Sequence, residues 1–187
     1  SPGFNSTGTL PALRHWMAVS NVDGTKLTAF ESGIAQGMDA AENFYLKAQL
    51  FFEDLTDVQR QKQNGKYNAY VEKVRYKPNE DTFESLGESL QPLVQTAANL
   101  GGCLQNLSEW LKDLPDDSFP NQDELASELE GRMQECSNIL NDLDYLTHPE
   151  DENAVYWLEL PHRENSSDTR LFAAPLNVAE VLHEALY

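Results

Sequence analysis

Basic residues are scarce in this chain. Thirteen lysines and arginines stand against 31 aspartates and glutamates, a formal net charge of -18 over 187 residues. Phosphate binding draws on clustered Lys and Arg, so tight autonomous binding of nucleic acid is not expected. The acidity serves solubility and repels non-specific anionic partners. A local contact stays compatible with it, because net charge averages over surfaces. Cysteine is scarcer still. Cys103 and Cys136 both fall at apolar-face positions of predicted helices, which reads as two small buried thiols rather than a disulfide or metal framework. The expected location is the cytoplasm. No apolar run is long enough to cross a bilayer, and no signal peptide is recognisable. The phosphate-loop pattern GxxxxGK followed by Ser or Thr is lacking, as is a dinucleotide fingerprint. So are a GxSxG nucleophile elbow and a cysteine set with zinc or iron–sulfur spacing. No catalytic, cofactor-binding or metal residue is assigned, and the chain alone is expected to catalyse nothing. His148 with Glu150, Asp151 and Glu152 is read as a solvated acidic turn rather than a metal cluster.

What is present is a set of long amphipathic stretches. Hydrophobic residues make up 40% of the chain, enough to bury a core. Residues 1–24 read as a lead-in, polar from Ser1 to Gly8 and closing on the turn signal Asn21-Val22-Asp23-Gly24. A first long helix is expected from Thr25 to about Leu55. Its apolar stripe runs through Leu27, Phe30, Ile34, Met38, Ala41, Tyr45, Ala48, Phe52 and Leu55. Gly33 and Gly37 weaken it locally or admit a close neighbour. A second helix follows a capping box at Asp81 and Glu84. Its stripe, Phe83, Leu86, Leu90, Leu93, Ala97, Leu100, Leu104, Leu107, Leu111 and Leu114, keeps steps of three and four, with bends expected at Pro92 and Gly101-Gly102. A third, capped by Asn121, carries Leu125, Leu129, Met133, Cys136, Ile139 or Leu140, Leu143 and Leu146 and ends at His148-Pro149. Three such stripes joined by short polar connections imply antiparallel helices.

Two stretches break this pattern. Tyr67 to Tyr76, rich in Tyr and Val, reads as a strand between the first and second helices. The tail supplies its candidate partners: Val155 to Leu160, then a polar turn, then Leu171 to Ala179 with Leu182 and Leu186 after it, which reads as a second strand and a helix start. The expected fold is mainly α, an antiparallel bundle of three long helices with a small β-sheet at its base. Residues 25–153 form the helical domain with one inserted strand, and residues 154–187 a strand–turn–strand–helix segment. Tyr67, Tyr70, Lys73, Arg75, Tyr76 and Lys77 form the one basic and aromatic cluster, and they are the candidate DNA contact, since aromatics stack bases and Lys meets phosphate. The plainer reading of the same residues is an amphipathic strand with solvated lysines.

The string Val155-Tyr156-Trp157-x-Glu159, followed by Leu171-x-Ala173-Ala174-Pro175-Leu176-x-Val178-Ala179 with Leu182, Leu186 and Tyr187, resembles DinG-type, XPD-like DNA helicases. There a tryptophan-bearing strand and a Pro-Leu segment rejoin the inserted helical arch to the first motor domain, between the DEAH box and the TSAT motif. The helices before it, with Phe51-Phe52 in the first, fit the same order. The Walker A loop, DEAH box, iron–sulfur cysteines and other helicase motifs of that family are missing here. The resemblance therefore implies a non-catalytic arch insertion, cut just outside its two ends, from a DNA-repair helicase that hydrolyses ATP. Its partners would be the motor domains of the parent chain, and single-stranded DNA weakly if at all in isolation, with no membrane partner. ATP with magnesium, and an iron–sulfur cluster as a further candidate, would belong to the parent and not to this chain. In that family the arch helps enclose and guide single-stranded DNA. On this view the tail strand, with Val155, Trp157 and Leu171 together, is a surface to be covered by the motor. The alternative is an acidic helical interaction module, adaptor or scaffold, with no nucleic-acid role.

Overall fold

A computed structural model describes residues 24–62, 72–78, 82–115, 121–160 and 169–176. Residues 1–23, Tyr67, Tyr70, Asp81 and the expected helix beyond Leu176 lie outside these. The elements in chain order are α1 (Gly24–Lys62), β1 (Glu72–Tyr76), a 3-10 turn (Glu84–Leu86), α2 (Gly87–Lys112), α3 (Gln122–Thr147), β2 (Ala154–Leu160) and β3 (Arg170–Pro175). The described residues are thus mainly helical, three helices with a small antiparallel sheet among them, as the periodicities imply. The chain divides into two compact units, one of residues 1–47 and 92–140, the other of 48–91 and 141–187.

The first unit is an antiparallel three-helix bundle. Phe30, early in α1, stacks on Trp110, late in α2, with ring centroids 3.8 Å apart. Gly33 admits close approach there: a Cβ at that position would lie 3.1 Å from Leu107 Cδ2. The middle of α2 meets the later part of α3, where a Cβ on Gly101 would lie 3.7 Å from the Cβ of Cys136. At the near end Lys112 pairs with Glu130, and Gln122 Nε2 donates to the Leu111 carbonyl at 2.7 Å. Asn121, just before α3, has a φ of 60°, a left-handed conformation that Asn tolerates better than most residues. Leu104, Leu107, Leu111 and Leu129 are buried in the shared core, and each such leucine is worth about 1.5–3 kcal/mol relative to exposure. Both cysteines are free thiols here, and burial pushes both above the usual thiol range.

The α2 stripe lies in the interior throughout, from Leu86 in the preceding turn to Leu114 just after the helix. The α1 stripe is rotated from the expected one. Gly37, Phe44 and Phe51 face inward more than Met38, Tyr45 and Phe52, and Met38 and Tyr45 are exposed. The seam steps 30, 34, 37, 41, 44, 48, 51 and 55, alternating four and three, which is the period of helices packed side by side.

The second unit folds around the sheet. Its order is β1-β2-β3 with both pairings antiparallel, so the strand between the first two helices pairs with the tail, as expected. Ala154, Tyr156, Leu158 and Leu160 of β2 are buried, while Val155, Trp157 and Glu159 are half-buried. That alternation is the period of two of a strand covered on one face. On the covered face Tyr76 meets Phe83 and Tyr156 at ring distances of 5.2 and 5.8 Å, and Tyr145 meets Tyr156 at 5.4 Å. The Tyr76 hydroxyl donates to the Leu146 carbonyl at 2.9 Å. Thr56 gives its hydroxyl proton to the Phe52 carbonyl, so in the buried contact between the two hydroxyls Thr169 is the donor. That bond ties the start of β3 to α1.

Candidate functional site

The opposite face of the sheet is where chemistry-bearing side chains gather. The register sets them in cross-strand rows. Lys73, Glu159 and Arg170 form one row, and Arg75, Trp157 and Phe172 the next. Val155 and Ala174 follow. Rows on one face are two residues apart, about 7 Å. Trp157 and Phe172 stack with ring centroids 5.1 Å apart and planes 8° from parallel, an offset aromatic pair that joins two strands. Lys73 Nζ lies 6.0 Å from the Trp157 ring centroid, at the outer edge of cation–π range.

Charge on this face differs from the chain as a whole. Lys73, Arg75 and Arg170 are exposed, and Glu159 is the one acid in these rows. Lys73 Nζ bonds Glu159 Oε1 at 2.9 Å, and the Trp157 indole N–H donates to the same oxygen at 3.4 Å. The Lys73 hydrogen bond is the main reason that the Glu159 carboxyl titrates below its usual range, with Trp157 and the charge of Arg170 adding to it. The acidic turn Glu150 to Glu152 precedes β2. There Asp151 caps the turn by accepting the Asn153 N–H at 2.8 Å.

Of the candidate DNA contacts, Lys73 and Arg75 lie on this open face. Tyr76 does not: it is 4% exposed, and its hydroxyl is engaged by Leu146. Lys73 and Arg75 share the parity of a strand face, and Tyr76 has the other. Lys77 is exposed just beyond the end of β1, and Tyr67 and Tyr70 lie outside the described residues. The three tail residues grouped as a surface to be covered also separate. Val155 and Trp157 lie on the open face, while Leu171 pairs with Leu158 on the covered one. Phe172, Glu159 and Arg170 had no site role in the sequence reading. Alternation within each strand could have grouped Glu159 with Trp157, and Arg170 with Phe172. Bringing the two pairs together takes the register.

Comparison with protein-family profiles, with curated proteins and with solved structures returns no match. Among the described residues no group of three or more His, Cys, Asp or Glu is placed to hold a metal ion. His148 Nδ1 instead lies 3.2 Å from Asp144 Oδ1. No described helix is long and apolar enough to cross a membrane. What the open face can do is bind: it offers stacking area, three cations and a carboxylate to a flat or anionic ligand.

Proposed function

We propose that this chain is a non-catalytic arch insertion of a DinG-like ATP-dependent DNA helicase, helping to enclose and guide single-stranded DNA, and that the open face of its sheet is the DNA contact. The observation that carries this reading is the stacked Trp157–Phe172 pair beside Lys73, Arg75 and Arg170. Unpaired bases stack on aromatic surfaces while cations meet the phosphates, and this face supplies both on a chain that is otherwise strongly acidic. Two of the three strands that build it, Val155 to Glu159 and Leu171 to Pro175, also carry the resemblance. On this reading ATP and magnesium belong to motor domains outside this chain.

Two measurements test it. The coding sequence around this chain should hold a Walker A loop and DEAH box upstream and TSAT closely downstream, and a locus without them refutes the helicase assignment. Fluorescence anisotropy at low salt should show weak binding of a single-stranded oligonucleotide, and Trp157→Ala should weaken it by about 1–3 kcal/mol, the worth of one stacked base. Equal affinities for the two proteins would remove the face from the reading. The alternative, an acidic helical interaction module, is favoured by the exposure of Met38, Leu46 and Leu50 on α1.

A further inference from the structure

The open face carries its own anion. Glu159 stands on the central strand with a cation across from it on each side, Lys73 on β1 and Arg170 on β3. Its Oε1 accepts from Lys73 Nζ at 2.9 Å and from the Trp157 indole N–H at 3.4 Å. A carboxylate there faces the donors that a phosphate oxygen would seek: two cations and an aromatic N–H, beside the surface on which a base would stack. The pair is accessible rather than sealed, since the Lys73 side chain is 64% exposed and that of Glu159 is 21% exposed. Ion pairs with one partner open to solvent are weak, so a ligand phosphate can compete with the carboxylate for Lys73.

We propose that Glu159 is a built-in competitor for phosphate, engaging Lys73 beside Trp157 in the free protein and displaced when an unpaired strand docks on the face. This rests on the reading of the face as a single-stranded DNA contact. It adds that the weakness of binding is set locally, by one side chain, and not by the net charge of -18 alone. The occupant is a strand with unpaired bases rather than an acidic peptide, because Trp157 and Phe172 present two stacked rings beside the cations, and a peptide carboxylate has no base to lay on them.

The test is fluorescence anisotropy of a labelled oligodeoxythymidine at low salt, using the full chain, Glu159→Gln, Lys73→Met and the double variant, with melting curves to verify folding. Gln keeps the size of the side chain and an oxygen for the indole N–H. Glu159→Gln should bind about five- to tenfold more tightly, the gain shrinking towards unity as salt is raised. In the Lys73→Met background the gain should drop to about twofold or less, because the two residues are coupled. Equal affinity of Glu159→Gln and the unaltered chain overturns the proposal while leaving the DNA contact standing. A gain undiminished without Lys73 also overturns it, since the carboxylate would then act by general repulsion. Displacement of the oligonucleotide by poly-glutamate as readily as by unlabelled oligonucleotide overturns it in favour of an acidic peptide. No binding by any of the four proteins removes the DNA reading of the face, and the competitor with it.

Discussion

Tyr76 and Tyr156 face each other across the first strand pair, inside the sheet's covered face. Burial pushes the Tyr156 phenol up to about 12 and raises that of Tyr76 as well, with Tyr156 adding to the latter. In an unfolded chain both would ionise near pH 10, as model tyrosines do. The fold therefore favours the neutral phenols, and the stability that they contribute is complete below pH 10. It is lost as the pH rises from about 10 through 12. Thermal melts should show stability falling across that window, with tyrosinate absorbance from the buried pair rising together with loss of helix. Ionisation of every tyrosine well before helix is lost would contradict this. The same residue shows what the sequence conveys and what it hides. Tyr76 sits among Lys73, Arg75 and Lys77 in sequence and so reads as part of a basic, aromatic cluster. Its parity in the strand sends it the other way, and that parity was legible. Which parity faces the core was not, because both alternatives carry residues suited to a strand.

At the scale of elements, α2 was legible almost to the residue. Its leucines recur at steps of three and four over the whole helix, so one phase buries them all and leaves Val94, next to Leu93, exposed. The α1 helix was legible in type but not in phase. Phe44-Tyr45 and Phe51-Phe52 are adjacent apolar pairs, and a stripe passes through either member with equal ease. The packing partner decides, and Phe51 is fully buried while Phe52 is half-buried. Phe51→Ala should cost about 3–5 kcal/mol, as for a buried aromatic residue replaced by Ala. Phe52→Ala should cost clearly less. Chemical denaturation of the two variants checks the phase, and the reverse order would restore the stripe through Phe52. The pairing of β1 with the tail was also legible, since an isolated strand between helices needs a ladder to satisfy its backbone. The register was not, and with it went the meeting of Lys73, Glu159 and Arg170.

For the whole molecule, net charge conceals distribution. Three of the 13 basic residues stand together on one sheet face, with Glu159 the one acid in their rows. Affinity for single-stranded DNA should rise as salt is lowered, with a log–log slope no steeper than about -2, since each phosphate neutralised on a single strand contributes about -0.7. A much steeper slope, or nanomolar binding at physiological salt, would mean that further cations take part. The alternation of β2 has one more consequence. On the proposed function positions 155, 157 and 159 address a ligand, while positions 154, 156, 158 and 160 are buried in the interior. A library randomised at the first set would sample new specificities on an unchanged frame, and one randomised at the second would sample stabilities under unchanged specificity. Deleting a single residue in the middle of the strand would exchange the two roles in everything beyond it, so this segment should accept substitutions far more readily than it accepts a change of length.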